Sequence, residues 1–315
     1  MTGAIGDEAA LRAVGEDQAK GAAGAGPRGT APSYLVGLVG AGVGPSLTPP
    51  LHEREAAATG RRLIYRTIDI AELDLPPESV ADLVPAARRL GFNGLNITHP
   101  CKQLVLPVLD GLTSDAAAIG AVNTVVFDGG SAIGHNTDGS GFARSLERGL
   151  PHAPRERVVL LGAGGAGAAV AHALLESGVR TLVVADLDTG RAAELAERVG
   201  RRFRDARCEP AGADDPERLL AGADGLVHAT PVGMAHHPGT PVPRELLRPP
   251  LWVADVVYRP LRTELLDDAE SRGCATLDGG AMAVFQAADA FQLFTGTPPD
   301  RERMLAHFHD LLAAE

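Results

Sequence analysis

Residues 157–188 read RVVLLGAGGAGAAVAHALLESGVRTLVVADLD, an apolar run, a glycine turn, an alanine-rich helical pattern and a second apolar run ending in an acid. A bound dinucleotide needs that order: a buried strand, a turn whose amides face a pyrophosphate at a helix N-terminus, and a carboxylate for the adenosine ribose. Gly162, Gly164 and Gly167 fill the three glycine positions, with Ala163, Gly165 and Ala166 among them, and Asp186 follows about 20 residues on. In a chain with 38 glycines the fingerprint alone is weak, and its context carries the reading. Val158 to Leu161 suits a parallel strand buried on both faces, and Ala168 to Leu175 gives an apolar helix starting at the third glycine. The competing reading is a strand-turn-helix crossover whose glycines only allow close packing.

Upstream of this unit, strand-like and helix-like segments alternate. The segments at 34–40, 62–70, 94–98 and 123–127 read as strands, and Pro50 to Thr59, Pro77 to Leu90 and Cys101 to Leu109 as helices between them. Asp128-Gly129-Gly130 signals a hairpin turn at the edge of this first sheet. Downstream, a helix at Gly141 to Gly149 leads into the glycine unit, and apolar strands follow at Gly225 to Ala229, Trp252 to Val257 and Ala275 to Leu277. Strands separated by helix-length segments imply a mostly parallel sheet covered on both faces. Met282 to Phe294 and Arg301 to Leu312 are helical by spacing and are expected to pack back on the first domain. The expected fold is therefore α/β: a substrate-binding domain of residues 33–138 and 282–315, and a Rossmann-type doubly wound domain of 139–281. Residues 1–32 have no apolar core for a signal peptide and read as a disordered extension.

Composition excludes several classes. The 315 residues suit two domains, since single cores stop growing at roughly 250 to 300 residues. A net charge of -11 and a pI near 5.4 supply no basic field for nucleic acid or an anionic membrane surface. No apolar stretch is long enough to span a bilayer. The three cysteines, Cys101, Cys208 and Cys274, lie far apart, which argues against a disulfide framework and fits a cytoplasmic location. The close histidine pairs His236-His237 and His307-x-His309 lack zinc-site spacing, so no metal is expected. Ser140 stands in Asp-Gly-Ser-Gly, without the Gly-x-Ser-x-Gly elbow of a serine hydrolase.

A few polar residues stand where chemistry is expected. Lys102 follows a strand and Pro100, so it would lie in the first turn of a helix, where the dipole disfavours a cation unless it has another task. One such task is to hold a substrate hydroxyl as a base; a solvated surface lysine is the equal alternative, although Lys20 is the only other lysine. Asp138 in GHNTDG reads most simply as an N-cap. Asn96, Thr98 and Asn123 lie near the ends of apolar runs, where α/β proteins place ligand-facing groups, and equally suit loop amides. Thr48 before Pro49 is a good cap pair, while in a turned loop Ser46 and Thr48 converge on a carboxylate.

Together these segments, from about residue 34 to 312, resemble the shikimate/quinate dehydrogenase family. Ser46-Leu47-Thr48-Pro49 is similar to its substrate loop, and Asn96-Ile97-Thr98-His99-Pro100-Cys101-Lys102 to its lysine motif. Ala121 to Thr124, Asn136 to Gly139, and Gly279 to Met282 with Gln286 match three further signatures in order. The resemblance implies hydride transfer between a ring carbon bearing a hydroxyl and a nicotinamide, with Lys102 and Asp138 as the catalytic pair. It implies that Ser46 and Thr48 bind the substrate carboxylate, and that Asn96 or Thr98, Asn123, Tyr258 and Gln286 contact the ring hydroxyls or the carboxylate. It implies cofactor contacts from the whole turn, Gly162 through Gly167, and from Asp186, Asp188 and Arg191. Thr230, Val232, Val257, Gly280 and Met282 complete that implied cofactor set.

The cofactor end departs from the commonest biosynthetic pattern. NADP-using relatives typically carry Asn-Arg-Thr at this strand end, where this chain has Asp186-Leu187-Asp188. A carboxylate accepts hydrogen bonds from a free ribose diol and repels a 2′-phosphate, so NAD is expected and NADP disfavoured. Arg191 nearby either partly rescues NADP or pairs with Asp186. Ser-Leu-Thr with Asp-Leu-Asp most resembles the catabolic NAD-dependent enzymes, and the extra methyl of Thr48 is too small to impose strict selectivity. Use of both quinate and shikimate is expected. The rivals are a dehydrogenase for an amino-substituted relative of these acids, an NADP-dependent biosynthetic shikimate dehydrogenase, and a non-catalytic dinucleotide sensor. A homodimer is compatible with the sequence, which does not specify an oligomeric state.

Overall fold

The computed structural model describes residues 31–314. The extension expected at 1–32 therefore falls, for residues 1–30, outside the described residues. The first half runs β1 (Ser33–Gly40), α1 (Thr48–Ala58), β2 (Arg62–Asp69), α2 (Val80–Arg89), β3 (Gly94–Ile97), β4 (Gly111–Leu112), α3 (Ser114–Ile119), β5 (Thr124–Asp128), β6 (Ser131–His135) and α4 (Asp138–Gly149). The second runs β7 (Arg157–Leu161), α5 (Gly165–Glu176), β8 (Thr181–Asp186), α6 (Thr189–Arg202), β9 (Arg207–Gly212), α7 (Pro216–Leu220), β10 (Gly225–His228), β11 (Trp252–Asp255), α8 (Glu264–Ser271), β12 (Ala275–Leu277), α9 (Gly280–Thr295) and α10 (Arg301–Ala313).

Two six-stranded sheets result, ordered β2-β1-β3-β5-β6-β4 and β12-β11-β10-β7-β8-β9. In the first, β1 pairs in parallel with β2 and β3, and β5 and β6 add an antiparallel hairpin. Gly129 and Gly130 close that hairpin at φ 54° and 88°, the left-handed pair that a two-residue turn between twisted strands requires. The short β4 lies outside β6, so the hairpin is one strand removed from the edge.

Every pairing in the second sheet is parallel. Alternate residues of β7 and β8 feed opposite cores: Val158, Leu160, Leu182 and Val184 pack with α5 and α6, while Val159, Leu161, Val183 and Ala185 face α8. Burial on both faces is why these strands are apolar without alternation. The strand order reverses at β7, placing a crevice between the carboxyl ends of β7 and β10, where ligands of open α/β sheets bind.

The C-terminal helices return to the first sheet. Ala290, Phe291 and Phe294 of α9 pack with Val36, Leu38 and Tyr65, and Met304, Leu305 and Phe308 of α10 with Leu47 and Leu51. Buried Glu55 of α1 accepts the Asp300 amide at 2.9 Å and the Arg303 guanidinium at 2.6 and 2.9 Å, fixing the start of α10. Where α4 crosses α9, a Cβ on Gly141 would stand 2.9 Å from the Met282 carbonyl oxygen, so glycine sets how closely the helices approach.

Two sequence expectations need correction, and one strand was not foreseen. Cys101 to Leu109 is a string of turns with one 3-10 segment, Leu106–Val108, because Pro107 would sit inside the expected helix without an amide to donate. Thr48 is the first residue of α1 rather than its cap, and the Ser46 hydroxyl accepts the Thr48 amide at 3.2 Å. Strand β9 was not anticipated: RCEPAG carries Pro210 and Gly212 and has no clean apolar alternation, as befits an edge.

Candidate active site

Lys102 and Asp138 are brought together. The Lys102 ammonium donates to Asp138 Oδ2, with the side chains 16% and 8% exposed. No helix dipole acts on Lys102 from its own segment, which is a run of turns rather than a helix. The N-cap reading of Asp138 fails. Its carboxylate turns to Lys102 and to the Asn123 amide, which donates to Oδ1 at 2.9 Å. Asn136 does the capping instead, its Oδ1 accepting the amides of Asp138 and Gly139 at 3.0 and 3.3 Å.

Asn123 is the hub of the pocket. Besides Asp138, its Nδ2 donates to Thr137 Oγ1 at 2.8 Å and to Gln286 Oε1 at 3.4 Å, and its Oδ1 accepts the Thr137 amide at 2.8 Å. The entry to strand β5, the start of α4 and helix α9 thus meet at one amide side chain. Asn96 lies one layer behind. Its Oδ1 accepts the Tyr65 hydroxyl at 2.6 Å, and its Nδ2 donates to the Asn123 carbonyl and to Thr124 Oγ1. Both amide hydrogens of Asn96 are spent inside the protein, so it supports Asn123 from below. Burial holds the Tyr65 hydroxyl protonated well above its ordinary range.

The loop with Ser46 and Thr48 is held by a residue the sequence reading passed over. Asp69, at the end of β2, accepts the amides of Gly42, Val43 and Gly44 at 3.0, 2.7 and 3.3 Å, and that of Ala71 at 3.0 Å. Burial alone would raise its pKa, but the four backbone donors outweigh that and hold it below the usual carboxylate value. The signal was an acid ending an alternating strand, a position that also suits a solvated loop. Tyr258 lies beside Ser46 of this loop, and burial raises the pKa of its phenol. Thr98 packs against Gly40, where a Cβ would stand 2.3 Å from its methyl.

The glycine turn lies directly beside this site. A Cβ on Gly165 would stand 3.1 Å from Lys102 Cβ, and one on Gly167 1.9 Å from the Gly162 carbonyl oxygen. Gly162 itself has φ +106°, a conformation that glycine supplies. Gly162, Ala163 and Gly167 are buried while Gly164, Gly165 and Ala166 remain partly accessible. Gly164, the cap residue of α5, offers no side-chain cap, so the first-turn amides of the helix are available to an anion. These features fit a dinucleotide pyrophosphate.

At the end of β8, Asp186 accepts the Ala163 amide at 2.7 Å and the Asp188 amide at 3.0 Å, which aims its carboxylate back at the turn. Asp188 caps α6, accepting the amides of Gly190 and Arg191 at 2.9 and 3.2 Å. Leu187 is 89% exposed. Arg191 does not pair with Asp186; its Nη2 lies 3.5 Å from where a Gly164 Cβ would stand. Burial, and then the charges of Lys102, Arg191 and His237, lower the pKa of His99.

The remaining expected residues bond and pack within the protein. Val232 donates its amide to Thr230 Oγ1 at 3.3 Å, and buried Val257 donates its amide to Asp255 at 3.0 Å. Gly280 packs on Leu261 and Phe308, and the Met282 side chain joins the core over α5. Among the described residues no helix is long and apolar enough to cross a membrane.

The sheet order, the glycine turn and the neighbouring ammonium-carboxylate pair define a Rossmann-type oxidoreductase with a separate substrate-binding sheet. Residues 38–125 match the shikimate dehydrogenase substrate binding domain, 145–232 the shikimate/quinate 5-dehydrogenase family and 281–307 the shikimate 5′-dehydrogenase C-terminal domain. The chain is 63% identical over 282 residues to a shikimate dehydrogenase (NADP(+)) of Streptomyces avermitilis, covering 90% of this chain and 97% of that one. It is 51% identical to a quinate/shikimate dehydrogenase (NAD(+)) of Corynebacterium efficiens, covering 89% and 99%. Among solved structures it resembles the quinate dehydrogenase of Corynebacterium glutamicum in complex with NAD, with a TM-score of 0.80 at 49% identity, covering 88% of this chain and 99% of that one. This chain belongs to the shikimate/quinate dehydrogenase family.

Proposed function

We propose that the protein is an NAD-dependent dehydrogenase interconverting quinate with 3-dehydroquinate and shikimate with 3-dehydroshikimate. Residues 33–138 and 282–315 would form the substrate-binding unit and 139–281 the dinucleotide unit. The observation that carries the reading is the Lys102/Asp138 pair beside the Gly165 end of the glycine turn. A bound nicotinamide dinucleotide supplies the hydride acceptor. The chain's own residues handle the proton and the orientation. In the oxidation direction Lys102 Nζ, in its neutral amine form, takes the substrate hydroxyl proton as the hydride leaves and becomes the ammonium that pairs with Asp138, while Asp138, held by Asn123, bonds the same hydroxyl. Ser46 and Thr48 meet the ring carboxylate, while Asn123, Gln286, Tyr258 and Thr98 fix the ring.

The preference for NAD rests on charge. Each Asp186 oxygen accepts one backbone amide and keeps capacity for a ribose hydroxyl, whereas a 2′-phosphate would meet a carboxylate with exposed Leu187 in place of a cation. Asp188 contributes to this preference through its charge, since its Oδ1 is spent on capping. The observation favouring NADP is Arg191 above Gly164, together with the NADP-named Streptomyces relative. Initial rates with quinate and shikimate, each with NAD and NADP, decide between the readings. Equal or better rates with NADP would overturn the charge argument. Turnover of an amino-substituted cyclic acid alone would overturn the substrate assignment.

A further inference from the structure

Strands β10 and β11 end side by side, with His228 in register with Asp255. Both side chains are 0% exposed, and His228 Nδ1 lies 3.0 Å from Asp255 Oδ1. A buried histidine and carboxylate at the carboxyl ends of two parallel strands are costly unless fully bonded, and here every polar atom has a partner. Asp255 Oδ1 also accepts the Val257 amide at 3.0 Å, and Oδ2 accepts the hydroxyl of Thr263, the cap residue of α8, at 2.8 Å. The second imidazole nitrogen, Nε2, is within hydrogen-bonding distance of Thr230 Oγ1. Thr230 Oγ1 in turn accepts the Val232 amide at 3.3 Å.

The bonding pattern orders the protons. Asp255 accepts the Val257 amide and the Thr263 hydroxyl, so it serves as an acceptor to which the Nδ1 hydrogen points, which leaves Nε2 to hold the Thr230 hydroxyl. Thr230 is thereby locked in one rotamer, with its oxygen turned to the Val232 amide. Its methyl is positioned against the first glycine of the turn, 3.0 Å from where a Gly162 Cβ would stand. One imidazole thus ties the loop after β10 to the loop after β11 and braces both against the glycine turn.

Topology says which part of the ligand these loops meet. The pyrophosphate belongs at the glycine turn after β7, and Asp186 at the end of β8 takes the adenosine side. The other half of the dinucleotide must then run the opposite way from β7, over the ends of β10 and β11. We propose that His228 is a positioning residue for the nicotinamide half of the cofactor, acting through Thr230 and Asp255 without touching it. This rests on the dinucleotide-binding reading of the site.

The test compares calorimetric binding of whole NAD with binding of ADP-ribose, which has the same adenosine and pyrophosphate but lacks the nicotinamide. If the parent prefers NADP, NADP and 2′-phospho-ADP-ribose replace them. His228→Gln and Thr230→Val should each raise the Kd for the dinucleotide about ten-fold while leaving ADP-ribose within two-fold, as expected for loss of about one buried hydrogen bond. The double variant should be no weaker than the worse single one, because both remove the same link. Thr230→Ser keeps the hydroxyl and should restore dinucleotide binding. Equal weakening of both ligands, additive effects, or a lowered melting temperature with unchanged Kd would overturn the inference. Failure of the parent to bind either ligand would instead overturn the dinucleotide reading itself.

Discussion

The glycine turn and the Lys102/Asp138 pocket touch each other, yet they are assembled in opposite ways. The turn is local: strand β7, residues 162–167 and helix α5 are contiguous, and one longer bond, from the Ala163 amide to Asp186, orients the carboxylate. The pocket is convergent. Lys102, Asn123, Asp138 and Gln286 come from four segments and meet through the side chain of Asn123, which spans 163 residues to Gln286. A local site is vulnerable to a single misplaced atom. A convergent site is vulnerable to loss of a bonded partner, and its supports lie outside any contiguous motif.

The largest expected effect isolates the pocket. Lys102→Ala should lower kcat about 10³-fold, the usual scale for a lost acid-base group, with dinucleotide binding kept within a few-fold. Comparable loss of dinucleotide binding would show that the two regions are one unit. Second comes the turn. Gly167→Ala places a methyl 1.9 Å from the Gly162 carbonyl, so dinucleotide affinity should fall about 100-fold, in line with displacement of a tightly packed backbone. Equilibrium titration with the dinucleotide checks it, and an unchanged Kd would show that the turn does not contact the ligand.

Asp69→Asn probes a support of the pocket. An asparagine offers one acceptor oxygen and sets an NH₂ against the amides of residues 42–44, so the loop carrying Ser46 and Thr48 should loosen. The KM for the cyclic acid should rise about ten-fold, one lost buried hydrogen bond's worth, while the KM for the dinucleotide stays put. A change in both KM values would show that the loop serves both regions. Because the carboxylate pKa is depressed, its stabilisation is present above the unfolded value and is lost as pH falls through the lower folded one. The difference between parent and variant should therefore be flat from about pH 5 to 8.

The smallest effect on function, visible in stability alone, concerns His52. This residue of α1 lies behind the pocket among the rings of Tyr65, Phe291 and Phe294, with neither ring nitrogen bonded, and burial pushes its pKa down to about 3. The unfolded chain then binds a proton that the folded one refuses. Stability is lost as pH falls below about 6.5, by up to roughly 1.4 kcal/mol per pH unit. Burial pushes His135 down to about 4 as well, with the same sign. His52→Phe should flatten the dependence of the urea midpoint on pH between about 6 and 4 without changing KM for either ligand. An unchanged slope would show that His52 is solvated or paired in solution.

His52 and His228 show why some of the architecture escaped the sequence. Both are buried histidines, one on a helix before Glu53-Arg54-Glu55 yet unbonded in a ring cluster, the other at the end of an apolar strand yet bonded at both nitrogens. Neighbours in the chain do not foretell neighbours in space. The misreadings of Asp138 as a cap and of 101–109 as a helix have the same origin. A carboxylate before a helix caps it unless a distant ammonium competes, and a lysine's role depends on where its stem is carried. The family signatures around Lys102 and Asp138 pointed beyond these local rules, whereas Asp69 and His228 belonged to no motif that was read.

By itself the sequence determined what is periodic or contiguous: the α/β alternation, the doubly buried strands β7 and β8, the glycine turn, and the acid at the end of β8. These follow from burial patterns and backbone sterics, which act over a few residues. The tertiary structure alone decided which polar groups share their hydrogens: Asn123 with Asp138 and Gln286, Asp69 with the Ser46 loop, His228 with Thr230 and Asp255. Hydrogen bonds and ion pairs act over a few ångströms of space regardless of chain separation, so their partners become known only once the sheets have brought them together.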